Sequence, residues 1–250
     1  MEKNSTKDTS SKKGELLIVS TGAGDLDNMT LKAYKAIKNA DIVFTMKGEA
    51  GKYKELIGEK PVYTAGHTLF MEEGDTKMSE DETKKLENEI RKTIREAYDE
   101  GKKIVILENG DTTVYGPQMG YMKEFKDLNP KIIPGISSFN AANAALQNSI
   151  IGGTKDESGV TLTVGRAENK LIDKLSQAGS TMVFFMNREF DGFIEHLLTL
   201  YPKDMPIAVV SDAGFKEEEK VVIATLETIK DKIGNNLPFY KLIYVGNFLK

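Results

Sequence analysis

The chain has 250 residues, 40% apolar and 29% charged, a composition that builds a packed core and lies far from the apolar-poor, highly charged range of disordered chains. Thirty-four basic against thirty-eight acidic residues leave a formal charge of -4, which supplies no general field for a nucleic-acid backbone or an anionic membrane surface. With no cysteine and only two histidines, His67 and His196, disulfides, thiolate metal clusters, a cysteine nucleophile and a multi-histidine metal site are excluded.

Residues 1–13, MEKNSTKDTSSKK, are polar, mixed in charge and without apolar periodicity, which predicts a disordered tail and not a signal peptide. No window approaches the roughly 18 apolar residues of a membrane span, so a soluble cytoplasmic protein is expected. From Gly14 onward, short apolar runs alternate with segments of helical period, the pattern of βαβ units. Strands are predicted at 16–20, 41–45, 61–64, 103–107 and 131–133, with helices at 28–39, at 79–100 and from about Gly116. Ser79 and Glu82 form a Ser-x-x-Glu capping box at the head of the long helix, and Gly101 stops it. Its apolar stripe is thin, so much of it should face water.

After Gly152 and Gly153 the pattern changes. Strands are predicted at 160–164, 181–185, 207–210, 220–225 and 240–245, with helices at 168–176, 190–200 and 226–232. Consecutive strands near the end lack an intervening helix, which argues for a mixed sheet. The expected fold is therefore two α/β domains, residues 14–134 with a mostly parallel sheet and residues 135–250 with a mixed one.

Three glycine-rich turns directly follow predicted strands, the position at which open α/β sheets bind ligands. Ser20-Thr21-Gly22-Ala23-Gly24-Asp25 lacks the third glycine of a dinucleotide turn, because Asp27 stands there, so a nicotinamide site is disfavoured. Asp25 or Asp27 is expected to cap the next helix. Glu108-Asn109-Gly110-Asp111-Thr112-Thr113-Val114-Tyr115-Gly116-Pro117 has no Gly-Lys-Ser/Thr ending and is not a triphosphate loop. Its glycines admit a ligand close to the backbone, and Asp111 is either an acceptor for hydroxyls or a cation, or a plain turn residue. In Pro134-Gly135-Ile136-Ser137-Ser138-Phe139-Asn140 the hydroxyls either cap the small-residue helix that follows or bind a ligand.

Taken in order, STGAGD, NMTLKAYKAIKNADIVF, ENGDTTVYG and PGISSF resemble the tetrapyrrole methylases. So do TMVFFM at 181–186, VVSDA at 209–213, and the ending ATLETIKDKI through LIYVGN, so the likeness runs from Gly14 to Gly246. The resemblance implies S-adenosylmethionine-dependent methyl transfer to a ring carbon of an anionic tetrapyrrole (a precorrin, cobalt-precorrin or uroporphyrinogen-like ring), a cofactor folded into the cleft between two domains, and a homodimer. By position it implies cofactor contacts from Ala23, Gly110, Asp111, Val114, Ser137, Ser138, Met186 and Ala213. Ala23 and Thr112 stand where the family usually has proline, which should loosen both loops. The opening segment is also similar to diphthine synthase. A peptide N-methyltransferase and a non-catalytic small-molecule binding protein are the further alternatives.

Transfer from a sulfonium requires alignment and exclusion of water, and positioning supplies roughly 7–11 kcal/mol of such a barrier. Neither a metal nor a covalent nucleophile is called for. The candidates to meet the acceptor are His67, Tyr115, Arg166 and Arg188. The arginines suit acetate and propionate groups or are ordinary surface cations. His67 is a base, a ligand to a substrate metal, or a plain hydrogen-bonding residue. Tyr115 packs beneath its loop or faces the cleft. Met186 read alone is a core residue, and Glu217 to Glu219 form a solvated turn.

Overall fold

The computed structural model describes residues 13–72, 78–151, 159–234 and 237–249; apart from Lys13, the expected tail lies outside them. The chain divides into two compact units. One comprises residues up to Gly22 with Met29–Gly135, the other Ala23–Asn28 with the chain from Ile136 onward. The excursion of residues 23–28 into the second unit is absent from a division drawn in chain order.

In the first unit, β1 (Glu15–Ser20), β2 (Ile42–Thr45), β3 (Val62–Thr64), β4 (Lys103–Glu108) and β5 (Lys131–Ile133) form one sheet in the order β3-β2-β4-β1-β5. Every pairing is parallel. Strands covered on both faces read as unbroken apolar runs, and alternate residues of these runs enter different cores. Leu16, Ile18, Phe44, Ile104 and Ile106 pack with Ile90 and Ile94 of α3 (Glu80–Asp99). Leu17, Val19, Val43, Val105 and Leu107 pack with Ala33 and Ile37 of α1 (Leu31–Lys38). The one-turn α2 (Lys54–Ile57) closes the second of these faces.

The capping box forms as expected, Ser79 Oγ accepting from Glu82 N and Glu82 Oε2 accepting from Ser79 N at 2.9 Å. Helix α3 buries Ile90, Ile94 and Ala97 on its thin stripe. Two other helix starts move. Helix α1 begins at Leu31, capped by Thr30, whose Oγ1 accepts from Ala33 N at 3.1 Å. Neither Asp25 nor Asp27 caps it, because Leu26–Asn28 is a separate 3-10 turn. The helix expected from about Gly116 begins at Gly120 (α4, Gly120–Glu124), beyond a segment whose Gln118 N–H donates to the Glu108 carboxyl at 3.1 Å.

In the second unit, α5 (Ser138–Leu146) precedes β6 (Val160–Val164), α6 (Lys170–Leu175), β7 (Thr181–Phe185), α7 (Phe190–Leu200), β8 (Pro206–Ser211), β9 (Lys220–Thr225), α8 (Ile229–Ile233) and β10 (Lys241–Val245). The sheet order is β6-β7-β10-β8-β9. Strands β6 and β7 are parallel and the other pairs antiparallel, so the sheet is mixed. Ile172, Phe184, Phe193, Ile194, Leu197, Ile207 and Ile243 are buried together, with the Phe184 and Phe193 rings edge to face at 5.0 Å. Helices α6 and α8 are shorter than expected; Asn169 caps α6 by accepting from Leu171 N. Among the described residues no helix is long and apolar enough to cross a membrane.

Candidate functional site

Strands β1 and β4 lie side by side with Ser20 opposite Glu108, so the turns leaving them meet at the carboxyl edge of the first sheet. Gly22 N donates to Gly110 O at 3.1 Å, and Gly110 takes φ +74°. Thr112 N donates to Ser20 Oγ at 3.0 Å, and the two hydroxyl oxygens are themselves 3.0 Å apart, both fully buried. The loosening expected at Thr112 is therefore overturned: its N–H, which proline lacks, ties the loop to β1. Asp111 Oδ1 accepts from Thr113 N at 2.8 Å and from Thr113 Oγ1 at 2.6 Å, a local Asx turn. Val114 N donates to Asp111 O at 3.0 Å. At Gly116 a Cβ would stand 2.3 Å from Thr112 O, so the loop folds back on itself more tightly than any other residue permits. Tyr115, at φ +60°, is 44% exposed and does not lie beneath the loop; partial burial raises its phenol pKa.

Glu108 escaped the reading of the motif. Its carboxyl is buried at the last position of the central strand β4. Burial pushes its pKa up to about 8, against hydrogen bonds from Gln118 N and Asn109 N that lower it and with the charge of Glu49 adding to the rise. The available signal was a glutamate closing the run Ile104 to Leu107 in a strand covered on both faces. His67 is exposed in the loop after β3, which Gln118 Nε2 holds by donating to Gly66 O at 2.9 Å.

In the second unit Ala23 is buried and its N donates to Ile136 O at 2.9 Å, so this loop too is held by an N–H that proline could not supply. A Cβ on Gly24, at φ +87°, would stand 2.2 Å from the Gly214 carbonyl. Asp25 N donates to Gly214 O at 2.9 Å, and Asp25 Oδ2 accepts from Lys216 N at 2.9 Å. Asp25 thus clamps the turn carrying Ala213 instead of capping a helix. Glu219 Oε2 accepts from Gly214 N at 2.8 Å, so one member of the acidic run is structural and not merely solvated. Ala23, the Ser137–Ser138 turn and Ala213 are in this way brought together. Ser137 caps α5, its Oγ accepting from Asn140 N at 3.3 Å and donating to Asn140 Oδ1 at 2.8 Å; Ser138 opens the helix.

Met186 is 42% exposed at φ +51°, which overturns its reading as a core residue: β7 ends at Phe185, and the left-handed residue after it leaves the buried alternation. Asn187 Nδ2 donates to Gly165 O at 2.9 Å and Gly165 N to Phe185 O at 2.8 Å, joining the turns that carry Arg166 and Arg188. Lys241 Nζ donates to Asn187 O at 2.9 Å, and burial lowers its pKa. Asp212 N donates to Tyr240 O at 2.9 Å, which continues the same edge to Ala213. Arg166 lines an open concavity of about 360 Å³ with Val164, Glu168 and Asn169, and Arg188 is exposed.

Residues 15–230 match the sequence profile of the Tetrapyrrole (Corrin/Porphyrin) Methylases. The chain belongs to this family. It is 30% identical over 247 residues to a cobalt-precorrin-4 C(11)-methyltransferase of Methanocaldococcus jannaschii, covering 94% of this chain and 88% of that protein. The fold is similar to the X-ray structure of a cobalt precorrin-4 methyltransferase, a cobalamin biosynthetic enzyme, with a TM-score of 0.73, 23% identity and coverage of 93% and 94% of the two chains. It is also similar to a uroporphyrin-III C-methyl transferase from Thermus thermophilus complexed with S-adenyl homocysteine, with a TM-score of 0.68, 20% identity and coverage of 94% and 99%. This chain is accordingly a methyltransferase, and the expected mostly parallel and mixed sheets are those of the family fold.

Proposed function

We propose that this methyltransferase uses S-adenosylmethionine and acts on a ring carbon of a precorrin, cobalt-precorrin or uroporphyrinogen-like tetrapyrrole. The observation that carries the reading is the loop from Asn109 to Gly116. Its backbone is pinned to Ser20 and Gly22 and closed just beyond Gly116 by Gln118 N on the Glu108 carboxyl, while Asp111, Val114 and Tyr115 remain half-buried or exposed. A rigid, glycine-opened loop presented in this way suits close backbone contact with a ligand. The donor set fits the cofactor. Asp111 commits Oδ1 to its own turn and has Oδ2 for hydroxyl or ammonium groups, Met186 offers an exposed apolar thioether, and Ala23, Gly110, Val114, Ser137, Ser138 and Ala213 sit in tightly held turns.

When bound, the cofactor supplies an electrophilic methyl group whose transfer removes the sulfonium charge. The protein's part is to align the acceptor carbon and keep water out. Arg166 and Arg188 take the acceptor's carboxylates, His67 is the candidate to receive the ring proton, and Tyr115, whose phenol stays protonated, is a candidate to contact the acceptor. The homologue's action on a tetrapyrrole carbon supports the substrate class; composition and resemblance support a cytoplasmic homodimer. S-adenosylhomocysteine should raise the melting temperature, and methyl-labelled S-adenosylmethionine should label one member of a panel of uroporphyrinogens, precorrins and cobalt-precorrins. No shift and no labelled product would return the chain to the binding-protein alternative.

A further inference from the structure

We propose that Glu108 is a positioning residue that clasps the cofactor loop shut from inside the sheet, so that the affinity for the methyl donor depends on a side chain that does not touch it. The proposal rests on the reading of residues 109–116 as the cofactor loop. Glu108 stands at the near end of that loop, and its carboxyl receives Gln118 N at 3.1 Å from beyond the far end. That bond closes the base of the loop, while Thr112 N to Ser20 Oγ and Gly22 N to Gly110 O hold its flank.

Packing alone does not call for a carboxyl here. Ile104, Val105, Ile106 and Leu107 before it are all buried apolar residues, and burying an acid in such a layer is costly unless hydrogen bonds compensate. The Gln118 N–H provides one. Strand β1 contributes the neutral Ser20 and the turn after it the neutral Thr21, while the turn after β2 contributes Glu49, which opposes ionisation. Lys52 Nζ is directed to Asn109 Oδ1 at 3.4 Å, and the Tyr53 hydroxyl to Thr21 Oγ1 at 2.9 Å. The clasp extends beyond the loop: the Gln118 side chain is buried and donates through Nε2 to Gly66 O at 2.9 Å. Glu108 therefore also sets the turn that carries His67. Gln118 Oε1 and, on neighbouring β2, Thr45 Oγ1 are buried without a hydrogen-bond partner among the described residues. Buried polar atoms without a partner are uncommon in native proteins and call for an explanation.

The test compares Glu108→Leu, Glu108→Gln and Val105→Ala, the last a truncation within the same strand away from the loop. S-adenosylhomocysteine affinity is measured by titration calorimetry, and KM for S-adenosylmethionine separately from kcat. Glu108→Leu should weaken binding by about ten-fold or more and raise KM in step, whereas Glu108→Gln, which keeps an oxygen for Gln118 N, should stay within about three-fold. Val105→Ala should lower the melting temperature and leave affinity at the wild-type value. If Glu108→Leu does not fold, Glu108→Asp, with an arm too short to reach Gln118, takes its place with the same expectation. Wild-type affinity in the Leu or Asp variant, or an equal loss in Val105→Ala, overturns the clasp while leaving the cofactor reading intact. Failure of the wild-type protein to bind the ligand overturns the cofactor reading itself, and the clasp with it.

Discussion

Placing proline at position 112, where the resemblance would put it, should destabilise this protein. Thr112 is fully buried, its N donates to Ser20 Oγ at 3.0 Å and its hydroxyl lies 3.0 Å from the same oxygen. Thr112→Pro deletes both bonds and strands the Ser20 hydroxyl, itself buried at 0% exposure, and an orphaned buried polar group costs about 1–3 kcal/mol. Proline recovers only about 0.4–1 kcal/mol by restricting the unfolded chain. The expected net loss is about 1–2 kcal/mol, read from urea unfolding at constant m-value. Ser20→Ala should cost about as much, by stranding the Thr112 N–H. The double variant should cost clearly less than the sum, with a coupling of about 0.5–1 kcal/mol, because neither partner is left alone. A Thr112→Pro protein as stable as wild type, or an additive double variant, would refute the claim that these bonds replace proline in holding the loop.

The raised Glu108 pKa makes stability depend on pH. The folded protein holds a proton up to about pH 8 that the unfolded chain releases near the ordinary glutamate value. This contribution is complete below about pH 4.5 and declines by about 1.4 kcal/mol per unit as pH rises through the window, ending near the folded pKa. Unfolding of wild type and Glu108→Gln at pH 5, 6.5 and 8 should show the difference between them shifting against wild type, and parallel profiles would contradict it. Gly24→Ala brings a Cβ to 2.2 Å of the Gly214 carbonyl at φ +87° and should cost about 2–4 kcal/mol; an unchanged melting temperature would show that the two turns can separate at no cost. Met186→Gly relieves a left-handed residue that is 42% exposed, so stability should stay within about 1 kcal/mol while S-adenosylhomocysteine affinity falls about five-fold or more. Unchanged affinity removes Met186 from the site.

Much of the architecture is written locally. The apolar runs at Leu16 to Val19 and Ile104 to Leu107 carry the signature of strands covered on both faces, and the Ser79–Glu82 box marks its helix start because both partners sit within one turn. The absence of a helix between β8 and β9 leads directly to their antiparallel pairing. The glycine-rich turns were legible as turns at strand ends for the same reason: strand, glycine and cap are neighbours in the chain. What holds those turns was not legible. Thr112 answers to Ser20, Ala23 to Ile136 and Asp25 to Lys216, and each such bond joins groups far apart in the chain that strand order or distant turns bring together; Gln118 reaches Glu108 only ten residues back, across its own loop, a pairing no periodicity marks. The distant bonds turned Asp25 from a cap into a clamp and drew residues 23–28 into the second unit. Side-chain period and short-range capping are properties of a segment. The choice of a hydrogen-bond partner, and the burial that moves the Glu108 pKa, belong to the packed sheet, because both depend on which strand lies alongside.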